Sequence, residues 1–119
     1  MKIVFIVDDI ATNLVTAKNA LDGVYKTFAI PSAERMFHLL GKIAPDLILL
    51  DVEMPEMNGF EALSILKSDE KTKSIPVVFL TAKEDAGSEA RGFEMGAVGF
   101  IRKPFARQAL IECIKTHID

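Results

Sequence analysis

Cysteine occurs once, at Cys113. A lone thiol excludes an intramolecular disulfide and points to a reducing compartment, the cytoplasm. No apolar run approaches the roughly 20 residues that a membrane span requires. The first apolar run, Ile3 to Val7, is shorter than the core of a secretory signal and stops on Asp8, so no leader is expected. Charge of either sign is not in excess. The 14 basic and 17 acidic residues leave a net charge of −3, and they are interspersed, which argues against direct nucleic-acid or anionic-membrane binding. Repeats, linkers and low-complexity stretches are absent. What is present is 119 residues, 50% of them hydrophobic, enough for one continuous core and a single domain over residues 1–119.

The organising stretch is Leu47-Ile48-Leu49-Leu50-Asp51. Four consecutive aliphatics predict a short strand buried on both faces, and it ends on a carboxylate. Asp51 is followed by Val52 to Gly59, a loop rich in turn residues. Ahead of it, Ile3 to Val7 predicts a strand closed by Asp8-Asp9. Residues 10–21 then predict a helix with Ile10, Leu14, Ala17 and Leu21 inward. A weaker strand spans Tyr25 to Ile30, and Ser32 caps a helix with Ala33, Met36, Phe37 and Leu40 inward that stops near Gly41.

Beyond the Asp51 loop, Asn58 and Glu61 have capping-box spacing and open a helix carrying Ala62, Leu63 and Leu66 inward. Val77 to Leu80 predicts a strand that ends on Thr81. Asp85 to Met95 shows a faint helical stripe of Ala86, Ala90 and Phe93, weakened by Gly87 and Gly92. Val98 to Ile101 is a fifth strand, followed by Arg102-Lys103-Pro104. A last helix from about Ala106 turns Ala109, Leu110, Cys113, Ile114 and Ile118 inward.

Five strand–helix alternations with strands apolar on both faces predict an α/β fold, a parallel sheet covered on both sides. All strands of such a sheet end along one edge, where ligands bind. The residues delivered there are Asp8, Asp9, Asp51, Thr81 and Lys103; the second strand delivers only Pro31-Ser32 and is expected at an edge of the sheet. Clustered carboxylates favour a hard oxygen-seeking cation such as Mg²⁺. A cation, a lysine and a hydroxyl together clamp a phosphoryl group, and a carboxylate beside them can be the nucleophile.

With these residues placed, the sequence resembles the receiver domain of two-component response regulators over nearly its whole length. The resemblance is carried by Asp8-Asp9, Asp51, Met54-Pro55 with Gly59, Thr81-Ala82, and Lys103-Pro104-Phe105, in order and at the right strand ends. It implies a flavodoxin-like, doubly wound five-stranded sheet in the order 2-1-3-4-5 with five helices. It implies that Asp51 accepts phosphate from a sensor histidine kinase or phosphotransfer protein. Mg²⁺ would be held by Asp9, Asp51 and the Glu53 carbonyl, with Asp8 acting through water. Lys103, Thr81 and the Ala82 amide would hold the phosphoryl oxygens, and Phe100 would be the switch aromatic reporting to the surface of the fourth helix, fifth strand and fifth helix. A cis bond before Pro104 is also implied. Such a domain acts on an effector or output domain and catalyses only its own phosphorylation and dephosphorylation.

Each residue also has a plainer reading: Asp8 and Asp9 as helix-dipole partners, Asp51 as a loop acid, Lys103 as a surface lysine, Cys113 as inert core. His38 and His117 lie on helices away from the rim. Two rival functions share the residues. Asp51-Val52-Glu53 loosely resembles the nucleophile motif of haloacid-dehalogenase-type phosphohydrolases, although that family places it after its first strand. A receiver fold that is never phosphorylated would leave the acids without a task. Finally, Glu53 and Lys83 are expected to form a weak salt bridge flanking the path of water to the phosphoryl group.

Overall fold

The computed structural model describes residues 1–81 and 86–118. Ten elements alternate strictly: β1 (Ile3–Val7), α1 (Ala11–Leu21), β2 (Lys26–Ile30), α2 (Ala33–Leu40), β3 (Leu47–Asp51), α3 (Gly59–Ser68), β4 (Val77–Thr81), α4 (Ala86–Glu94), β5 (Gly99–Arg102) and α5 (Arg107–Ile118). The strands are all parallel in the order β2-β1-β3-β4-β5, the doubly wound arrangement expected, with β2 at an edge. The register aligns strand ends: Val7 lies opposite Leu50, Asp51 opposite Leu80, and Thr81 opposite Arg102.

Alternation along each strand splits the core in two. Phe5, Val7, Ile48, Leu50, Val77 and Phe79 pack with α2 and α3 residues such as Met36, Leu63 and Leu66. Val4, Ile6, Leu47, Leu49, Val78 and Leu80 pack on the other face with Leu21, Leu110 and Ile114 from α1 and α5. Each such fully buried aliphatic or aromatic side chain contributes roughly 1.5–3 kcal/mol. Helix starts follow the predicted chemistry. Ser32 Oγ accepts from Arg35 N–H, and Asn58 and Glu61 form a reciprocal capping box at 2.9 and 3.0 Å.

Three inward faces differ from the expectation. Ile10 is 50% exposed because it precedes α1 in extended conformation, so α1 buries Ala17, Ala20 and Leu21 instead. In α5, Leu110, Ile111 and Ile114 are buried while Ala109 is exposed; at the start of the helix Arg107 Nε–H donates to the Ala20 carbonyl at 2.9 Å. In α4, Ala90 and Phe93 are exposed, and Gly92 is the buried residue among those described; the Ala86 side chain lies outside them. A helix with so little apolar side-chain area gives a weak stripe, and the glycine that reads as a defect is its contact point.

Gly59 opens α3 against the end of β3. A Cβ there would stand 2.4 Å from the Asp51 carbonyl oxygen and 2.9 Å from Val52 Cα, both backbone atoms. Neither yields without moving the strand that carries Asp51, so Gly59→Ala is overpacking at an unyielding site. It should destabilise by about 2 kcal/mol or more, lowering Tm by roughly 10 °C in a thermal melt.

Candidate functional site

The strand ends bring Asp8, Asp51, Thr81 and Lys103 together in a rim cavity of about 100 Å³ or at its wall, and the topology does the gathering. Lys103 follows β5 through the cis Lys103–Pro104 bond, and its backbone N–H donates to Thr81 carbonyl at 2.7 Å. Its Nζ lies 2.5 Å from Asp8 Oδ2 and 3.3 Å from Asp51 Oδ1. The side chain of Asp8 is 0% exposed and that of Lys103 only 12%, so this ion pair is screened far less than a surface pair. Asp8 Oδ1 also accepts the Ile10 N–H at 2.9 Å, which leaves its carboxylate tied on both oxygens.

Asp51 occupies the end of β3, buried, and its pKa is pushed up from 3.8 to about 6. Burial is the main cause and the Asp8 charge the second; Lys103 and the Glu53 N–H oppose them. Asp9 is exposed. Even so, one carboxylate oxygen from each of Asp8, Asp9 and Asp51 lies within 4.8 Å of the others. Three carboxylates against one ammonium leave an excess of negative charge, and the donor set is all oxygen. That fits a hard divalent cation. Glu53 is exposed and Thr81 buried at the cavity wall.

Asn13 and Ile10 of the first helix segment also line the cavity. Neither is a site residue in the sequence reading, because nothing in the spacing of Ile10 or Asn13 marks which rim each reaches. Met54 and Met57 pack against the core, as loop packing requires. His38 is exposed on α2, and His117 lies on α5 beside Gly99, both on elements other than those lining the rim cavity. Ala82 and Lys83, expected to hold the phosphoryl group and to flank it, lie outside the described residues. Phe100, on β5, is half-buried with its ring 5.2 Å from that of Phe79.

The raised Asp51 pKa has a sign that can be tested. Because the folded chain holds that proton more tightly than the unfolded chain, Asp51 stabilises most below pH 3.8, and this is lost as pH rises to about 6. Above pH 6 the ionised, crowded carboxylate destabilises the fold. In buffer with a chelator, Asp51→Asn should therefore melt roughly 5 °C above the wild type at pH 7. The gap should close towards pH 4, and Mg²⁺ should narrow it at pH 7 by stabilising the wild type. A variant that melts lower at pH 7 would contradict the crowding.

Comparison with known proteins agrees with this geometry. The family model for the response regulator receiver domain matches residues 4–115. The chain is 34% identical over 118 residues to the polar-differentiation response regulator DivK of Brucella ovis, covering 98% of this chain and 96% of that protein. It is 36% identical over 116 residues to a probable cyclic di-GMP phosphodiesterase of Vibrio cholerae, covering 98% of this chain but only 26% of that protein. That relative's activity is named for the whole protein, of which this chain spans about a quarter. Among solved structures, Vibrio cholerae chemotaxis protein CheY4 superposes with a TM-score of 0.92 at 26% identity, covering 98% of each chain. Family, fold and the order of the strand-end residues converge, and they leave the phosphohydrolase reading without support. The chain belongs to the response regulator receiver domains of two-component signalling, the family that works between histidine kinases and effectors.

Proposed function

We propose that this receiver domain accepts a phosphoryl group on Asp51, and the observation that carries the reading is the buried Asp8–Lys103–Asp51 arrangement. An Asp51 carboxylate oxygen bonds to phosphorus as the bond from phosphorus to the donor's imidazole nitrogen breaks, and the departing imidazole takes up a proton. Lys103 stands 3.3 Å from Asp51, placed to neutralise the incoming phosphoryl oxygens, and its pairing to Asp8 keeps it from swinging into solvent. The Thr81 hydroxyl and the Ala82 amide complete the oxyanion donors in this reading.

Asp8, Asp9 and Asp51, with the Glu53 carbonyl, are the groups that would hold Mg²⁺. Bound there, the cation supplies charge neutralisation for Asp51 and for the phosphoryl oxygens. Asp8 and Asp9 are then spared for the metal rather than for the reaction itself. The phosphodonor is a sensor histidine kinase or phosphotransfer protein, in the cytoplasm, and the recipient of the signal is an effector or output domain contacted through α4, β5 and α5. Among the described residues no helix is long and apolar enough to cross a membrane.

Incubation with Mg²⁺ and a small acyl or amidate phosphodonor should add one phosphoryl mass, lost in Asp51→Asn, while Asp9→Ala weakens Mg²⁺ binding. Label persisting in Asp51→Asn would move the acceptor elsewhere, rapid turnover without accumulation would indicate a hydrolase, and no label at all an inert module. Beryllofluoride with Mg²⁺ should produce its largest change in hydrogen exchange in α4 and β5. A change confined to α1 and α2 would contradict signalling through that face.

A further inference from the structure

Gly92 is buried in the last turn of α4, still within the helix, where glycine is unfavourable relative to alanine. Its backbone does not ask for it: only Gly23 and Gly96 among the described glycines have positive φ. Space does. A Cβ at 92 would stand 2.5 Å from Phe100 Cζ, 2.8 Å from Phe100 Cε1 and 3.1 Å from Phe79 Cε2. The Phe100 ring thus lies directly on the helix backbone, in the seam between α4 and the sheet.

That ring belongs to a chain of four. Phe60, at the start of α3, meets Phe79 at 5.3 Å; Phe79 meets Phe100 at 5.2 Å; Phe100 meets Phe93 at 5.3 Å. All three contacts are tilted, at ring separations typical of packed aromatic pairs. The members differ in freedom. Phe79 is fully buried in β4, two residues before Thr81, whereas Phe100 is half-buried and Phe93 is 49% exposed. Any Cβ at position 92 must therefore displace Phe100, since Phe79 has nowhere to go.

The helix is also held by side chains in the turn that precedes Gly92. Arg91 lays its guanidinium over the Phe60 ring, 4.3 Å from the centroid, and Glu89 pairs with Arg102 of β5 at 3.0 Å. These contacts resist lifting α4 off the sheet to relieve a clash. We propose that Gly92 is a positioning residue: it provides the socket that admits the Phe100 ring to the seam between α4 and the sheet. Its cost in helix propensity is the consequence of that socket. The inference concerns the unmodified domain and stands whether or not Asp51 is phosphorylated; only its consequence for signalling rests on the function proposed above.

The test is a double-substitution cycle on the unphosphorylated chain with Gly92→Ala, Phe100→Ala and the pair. With Phe100 present, Gly92→Ala should lower Tm or leave it unchanged, abolish nuclear Overhauser contacts between the Phe100 and Phe79 rings, and speed hydrogen exchange in α4. In the Phe100→Ala background the same alanine should raise Tm by roughly 4–8 °C, because the propensity gain is no longer opposed by a clash. The reversal of sign is the signature of the socket. A Gly92→Ala chain that fails to fold beside a folded pair gives the same answer. The same Tm shift in both backgrounds, or ring contacts that survive in Gly92→Ala, would overturn the proposal. Asp51 labelling by phosphodonor is a separate measurement, so its failure would leave this result untouched.

Discussion

The structure depends on one ammonium held among carboxylates. Lys103 arrives from β5 and meets Asp8 from β1 and Asp51 from β3 in a cavity with little access to water. Two acids from different strands cannot both be ionised at such a rim without a cation between them. Lysine offsets only part of this: burial, and then the Asp8 charge, still push the Asp51 carboxyl up to about 6. The site is thus electrostatically incomplete in a way that a hard dication would complete.

That incompleteness has a structural counterpart in how tightly the surrounding backbone is held. Gly59 lets α3 start against the Asp51 carbonyl, and Val52 N–H donates to Leu80 carbonyl at 3.1 Å. Lys103 N–H returns to the end of β4 through Thr81 carbonyl. Small changes at Asp51 therefore meet stiff neighbours on β3, β4 and β5, and are passed on rather than absorbed. The softer direction is outward, along the ring chain from Phe79 to Phe100 and Phe93, where burial falls step by step. Burial is thus greatest at the rim and falls towards α4.

Much of this was legible in the chain. The strands announced themselves as unbroken apolar runs because a parallel sheet covered on both faces has no polar side to show. The edge position of β2 was expected because that strand delivers only Pro31-Ser32 to the rim, and the sheet places it there. The acid, hydroxyl and lysine at the rim could be named because parallel strands all end on one edge, a consequence of topology that needs no side-chain detail. Capping at Ser32 and Asn58 was equally local, resting on chemistry within four residues.

What sequence periodicity misjudged were positions whose environment comes from distant segments. Ile10 looked inward by spacing, yet the chain is still extended there. Ala109 is exposed and Ile111 is buried in its stead, because the rotation of α5 is set by packing against segments far away in the chain. Gly92 read as a weakness, since nothing near it in the chain reveals a phenylalanine eight residues later lying against its Cα. Asn13 gave no sign of reaching the cavity. The sequence by itself determined the element types, the parallel sheet and the identity of the rim residues, because hydrophobic period and strand ends are local properties. Only tertiary structure decided which acid is buried, which oxygen meets Lys103 and which ring fills the α4 seam, because those outcomes depend on ångström-scale distances between segments far apart in the chain.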